Sequence, residues 1–127
     1  MLRLAQVSLM VRDYDEAIAF YVGVLGFDLA EDTELGGGKR WVRITGAGGG
    51  LLLSRALTEA QLARVGDQTG GKVLLFMHTD DFARERARLI GLGVRFLDAP
   101  RVETYGVVAV FLDLYGNKID LIGNEPR

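Results

Sequence analysis

The chain has no cysteine, which excludes a disulfide framework, a thiolate metal site and a cysteine nucleophile. Serine occurs only at Ser8 and Ser54, and neither lies in the strand-to-helix elbow that exposes a nucleophilic serine. His78 is the only histidine. No apolar run approaches the roughly 20 residues a membrane helix needs. The opening Met1-Leu2-Arg3-Leu4-Ala5-Gln6 lacks a secretory leader's layout, so a soluble cytoplasmic protein is expected. Charge of one sign does not dominate. Fifteen basic residues oppose 17 acidic ones and are interspersed with them, which argues against a nucleic-acid face. The densest basic stretch, Arg84, Arg86 and Arg88 with Glu85 among them, reads as a solvated helix face. Glycine is plentiful, but no G-x-G-x-x-G opens a helix after a strand and no Gly-Lys-Ser/Thr follows, so nucleotide-binding loops are excluded.

What is present is a patterned chain of 127 residues, 49% of them apolar, sufficient for one compact domain with its own core. Val7, Leu9 and Val11 alternate with Gln6, Ser8 and Met10, predicting a strand over 4–11. Asp13 with Glu16 three residues on predicts a helix start, and Gly26 its stop. Strands follow over 27–31, 40–45 and 51–54, with glycine-rich turns between them. Thr58 and Gln61 form a capping box for a short helix over 59–65. The order then repeats: a strand over 73–79, a helix after Asp80-Asp81 ending at Gly93, and strands over 94–97, 107–112 and 118–122. Leu25-Gly26-Phe27 and Leu92-Gly93-Val94 lie 67 residues apart, as do Asp13 and Asp80. A βαβββ module thus occurs twice, at about 1–56 and 72–127, joined by a connector at about 57–71.

Val11-Arg12-Asp13-Tyr14 through Ala19-Phe20-Tyr21 to Leu25-Gly26-Phe27, together with Phe111-Leu112-Asp113-Leu114-Tyr115-Gly116-Asn117-Lys118-Ile119-Asp120-Leu121, resemble the opening and closing signatures of the vicinal oxygen chelate superfamily, the glyoxalase, bleomycin-resistance and dioxygenase group. The resemblance covers essentially the whole chain. It implies an α+β fold, with two tandem βαβββ modules forming a cupped eight-stranded mixed sheet and helices on the outer face. It also implies a homodimer, with the pairing of modules within or between chains left open.

Metal-dependent members of that superfamily hold one divalent cation with His, Gln or Glu from four strands. Carried over position by position, Gln6 matches the first ligand and Asp120, a shorter carboxylate, matches the last. The fourth strand offers only Gly50-Leu51-Leu52-Leu53-Ser54, and the fifth-strand position falls on Val73 or Leu74. No resident metal is therefore expected, with Gln6 and Asp120 the weak candidates if a divalent ion does bind. His78 has two readings. The 67-residue offset places it under the helix, whereas a one-residue shorter spacing places it with Leu74 and Phe76 toward the cavity.

Strand parity adds Ser8, Trp41 and Arg43 to Gln6 as ligand-binding candidates, and Tyr105 sits in a loop able to close over a pocket. The leading expectation is a small-molecule-binding protein with a degenerate metal site and an apolar cup. The alternative is a metal-dependent lyase, isomerase or dioxygenase in which Asp120 and His78 carry the catalysis and Gln6 assists. A homodimer that binds a partner and no ligand is a third reading.

Overall fold

A computed structural model describes residues 1–46 and 48–124. Ala47 and residues 125–127, the end of the second expected module, lie outside the described residues. The chain divides into two compact units, Met1–Gly66 and Asp67–Arg127.

In the first unit β1 (Val7–Val11) leads into α1 (Tyr14–Ile18), which continues as a π-helical segment over Ala19–Val24. Asp13 caps α1 by accepting the Glu16 N–H, satisfying one of the donors a helix start leaves open. β2 (Asp28–Gly36), β3 (Lys39–Gly46) and β4 (Gly49–Arg55) follow, then α2 (Glu59–Leu62). The sheet order is β1-β4-β3-β2, with β1 parallel to β4 and the other neighbours antiparallel. Burial alternates along each inner strand. Leu9, Val11, Val42, Ile44, Leu51 and Leu53 are buried with Ala17 and Tyr21 of the helical segment, while Ser8, Trp41, Arg43 and Leu52 take the opposite face. The hairpin of β2 and β3 is tied to α1 through Arg40. Its guanidinium pairs with Asp32 at 2.6 Å and Asp15 at 2.9 Å and lies 5.1 Å from the centre of the Tyr14 ring.

The second unit repeats this plan. β5 (Val73–Thr79), α3 (Phe82–Gly91), β6 (Arg101–Glu103), β7 (Gly106–Leu112) and β8 (Lys118–Gly123) form a sheet of order β5-β8-β7-β6. β5 is parallel to β8 and the rest antiparallel. Leu75, Ile119 and Phe111 form one lateral row, and Met77, Leu121 and Ala109 the next. The following row ends at Gly123 and Val107, which α3 covers: a Cβ on Gly123 would lie 2.6 Å from Phe82 Cβ. Two βαβββ modules are therefore present, and the eight strands are hydrogen-bonded as two four-stranded mixed sheets.

Several boundaries differ from the sequence expectation. β1 begins at Val7 rather than residue 4, because its ladder starts where Val7 meets Leu51. β2 runs on to Gly36, paired along β3 as far as Lys39. The capping box of Thr58 and Gln61 forms, but α2 ends at Leu62 and its last turn tightens into bonds from Arg64 N–H to Gln61 and Val65 N–H to Leu62. The largest departure is the strand expected over 94–97. There only Phe96 bridges Phe111, and the Asp98 carboxylate takes the Val110 N–H at 3.1 Å, standing in for a ladder carbonyl. Pro100 has no N–H to give the ladder, and regular pairing resumes at Arg101.

Gly106 and Gly123 are where this sheet tolerates no side chain. Gly106 has φ of +137°, and a Cβ there would lie 2.0 Å from the Gly123 carbonyl oxygen. Gly106→Ala is expected to lower stability by about 3 kcal/mol or more, read as a fall in the urea midpoint. Gly49→Ala, whose Cβ meets nothing within 4 Å, should change the midpoint little or raise it slightly. Equal midpoints for the two variants would contradict the packing of β7 on β8.

Candidate functional site

Both sheets carry a helix on one face only, and the sequence candidates fall mainly on the other. In the first unit Gln6 is half-buried just ahead of β1. Ser8 pairs with Leu52, Leu52 with Arg43, and Arg43 with Glu31, so these four side chains form one row across the helix-free face. Arg43 Nε is 3.8 Å from a Glu31 oxygen, an ion pair loose enough to open for a ligand. Trp41 is half-buried two residues along β3, opposite Thr33.

In the second unit the helix-free face centres on Asp120. Phe76 and Val110 flank it in the ladder. The next row holds His78, Ile122, Val108 and Arg101. His78 thus lies with Phe76 and Asp120, away from α3. Phe76 is 62% exposed and Asp120 only 5%, so an aromatic ring stands in the open beside a carboxyl group sunk between strands. Tyr105 is at the β6–β7 turn, largely exposed, and is not in either row.

Asp120 is chemically unusual. One of its oxygens, Oδ1, is buried without any hydrogen-bond partner among the described residues, although buried polar atoms are nearly always satisfied. Loss of hydration is the main influence and raises its carboxyl above the ordinary value of 3.8. The Arg101 guanidinium acts against that rise, and the Asp98 carboxylate adds to it. Arg101 is itself held by Asp98 and Glu103, each at 3.0 Å. The sequence reading missed Arg101, Asp98 and Glu31 as neighbours of the site. The spacing of Asp98, Arg101 and Glu103 around Pro100 was the available signal, hidden by the strand expected over 94–97.

No three His, Asp or Glu side chains converge among the described residues. Leu51, Leu52 and Leu53 on β4 and Val73 and Leu74 on β5 supply no donors. A resident divalent ion needs three or four converging oxygen or nitrogen ligands. No described helix is long and apolar enough to cross a membrane.

Comparison with known proteins places this geometry in a class. Residues 3–121 match the model of the Glyoxalase/Bleomycin resistance protein/Dioxygenase superfamily, and the chain belongs to that superfamily. An uncharacterised protein of Shewanella frigidimarina (strain NCIMB 400) is 47% identical over 123 residues, covering 94% of this chain and 91% of that one. The crystal structure of UcmS2 is similar with a TM-score of 0.81 and 28% identity, over 96% of this chain and 98% of its own. That of TnmS3, an antibiotic binding protein from Streptomyces sp. CB03234, is similar with a TM-score of 0.76 and 31% identity, over 98% of both chains.

The raised carboxyl of Asp120 has a consequence for stability. A carboxyl whose pKa is higher folded than unfolded favours the native state in acid, and that advantage is lost as pH rises through the folded value. Asp120→Asn, which cannot ionise, is therefore expected to raise the denaturation midpoint at neutral pH. The gain should shrink toward zero as pH falls below the ordinary value of 3.8. A midpoint unchanged or lowered at neutral pH would show that the carboxylate is stabilised by partners.

Proposed function

We propose that the protein binds an organic small molecule on the helix-free face of the second sheet, without a resident metal. Asp120 is the buried polar anchor and Phe76 the apolar platform. The observation that carries this reading is the partnerless Asp120 oxygen beside an exposed aromatic ring. An apolar surface with a few placed polar groups is the usual composition of a ligand site, and a ligand's donor would supply the hydrogen bond Asp120 lacks. Similarity to TnmS3, an antibiotic binding protein, supports binding over conversion and makes antibiotic-like aromatic compounds the first class to try. Ser8, Trp41 and Arg43 are further contact candidates on the first sheet, with Gln6 ahead of β1 and Tyr105 at the β6–β7 turn of the second sheet. The homodimer implied by the family resemblance is part of the same proposal.

One observation favours a catalytic alternative: a carboxyl held above its ordinary value shares a face with His78, an arrangement suited to proton transfer. Under that reading the chain is a lyase, isomerase or dioxygenase, with Asp120 as the acid or base and Gln6 assisting.

A panel of aromatic antibiotics screened by thermal unfolding, with product analysis of every hit, separates the two. The binding reading expects a compound that raises the melting temperature saturably, by about 2.7 kcal/mol of stabilisation at a hundredfold excess over Kd. That compound should be recovered unchanged, and Phe76→Ala should weaken it by about tenfold or more. Conversion of the compound, abolished in Asp120→Asn while binding persists, would replace this reading with the catalytic one.

A further inference from the structure

The other buried polar atom without a partner lies on the opposite face of the same sheet. Arg86 Nε finds no acceptor among the described residues, and its guanidinium sits 5.2 Å from the centre of the Phe96 ring. Arg88, two residues on, is paired with Glu85. The sequence expectation that Arg84, Arg86 and Arg88 form a solvated face therefore fails for Arg86, which is half-buried and turned toward the sheet because α3 lays it over Phe96.

Arg86 lines a cavity of about 570 Å³, within the range of small-molecule pockets. The edge strand is interrupted between Phe96 and Arg101, and the cavity lies between the first turns of α3 and the sheet edge where Pro100 precedes β6. Phe82 and Ala83 of the helix face Pro100 and Val107 across the gap. Asp80 and Asp81 also line the cavity. The Asp81 carboxylate is turned back to cap α3, accepting the Arg84 N–H at 3.2 Å. Asp80 has neither ion pair nor hydrogen bond among the described residues.

The space thus combines apolar walls with one unpaired cation and one unpaired anion. A guanidinium held against an aromatic ring gains from the contact, but half-buried without a counterion it remains poorly compensated for lost water. A ligand carboxylate would meet its terminal nitrogens in the two-bond geometry arginine favours. A simple anion would also meet Asp80, whereas a ligand carrying an ammonium group turns that repulsion into attraction. We propose that this cavity binds a small amphipathic zwitterion of the amino-acid type. Its carboxylate rests on Arg86, its ammonium faces Asp80, and its apolar side group lies against Phe82 and Pro100. This site is separate from the one proposed around Asp120.

The test uses ¹⁵N-labelled full-length protein titrated with L-phenylalanine and followed by NMR. Saturable shifts are expected at the Ala83 and Ala87 amides and at the Arg86 Nε–H. Phenylpropanoate and phenethylamine, each lacking one charge, should bind about tenfold more weakly, and Arg86→Gln and Asp80→Asn should each weaken phenylalanine by a similar factor. Asp80 is exposed, so its variant keeps the test valid if Arg86→Gln fails to fold. Asp120→Asn should leave the phenylalanine titration unchanged, which keeps this site distinguishable from the Asp120 site. Absence of saturable shifts at these positions, equal binding of phenylpropanoate and phenylalanine, or unchanged affinity in folded Arg86→Gln or Asp80→Asn would each overturn the proposal.

Discussion

Each four-stranded sheet carries its helix against one face, and that one-sided cover organises both modules, although β7 and β8 are buried on the other face as well, at Val108 and Ile122. Strand side chains alternate sides, so the same alternation that fills the core beneath α1 and α3 sends every second residue to the opposite face. Leu9, Val11, Val42 and Ile44 go to the core. Ser8, Trp41 and Arg43 are consequently presented on the helix-free side, as Phe76, His78 and Asp120 are in the second module.

Among the described residues, the second module holds two buried side-chain atoms without a hydrogen-bond partner, Asp120 Oδ1 and Arg86 Nε, and the interrupted edge strand bears on the first. Where β6 shortens, Asp98 substitutes for a ladder carbonyl and Arg101 becomes available to Asp98 and Glu103. Those charges bear on Asp120 from one side of the sheet. On the other side lies the cavity lined by Arg86, which has no counterion among the described residues.

Much of the architecture was legible in the sequence because each module announces itself by local rules. Asp13 and the Thr58–Gln61 box cap helices as their side-chain chemistry requires, and the alternation in 6–11 gives strand and facing together, whereas in 73–79 it gave the strand and left the facing of His78 open. Asp120 was reached through the resemblance of 111–121 to a family signature, whose turn is held here by Asp113 accepting the N–H groups of Tyr115 and Asn117. The position of β6 was not legible. It depends on a side chain replacing a backbone acceptor at Asp98 and on Pro100 breaking the ladder, and 94–97 has a strand-like pattern of its own. Arg86 could not be separated from Arg84 and Arg88 for a similar reason: its environment is fixed by Phe96, a contact that exists only after α3 has packed.

The central claim is that Asp120 is a buried carboxyl left unsatisfied by its own fold on a helix-free sheet face. Titration of its side-chain carboxyl carbon by ¹³C NMR tests this most directly. A midpoint above the ordinary 3.8 is expected, because the environment disfavours the charged form. A midpoint at or below 3.8 would mean that Asp120 is hydrated or paired, and the reading of that face as a site waiting for a ligand's hydrogen bond would not stand.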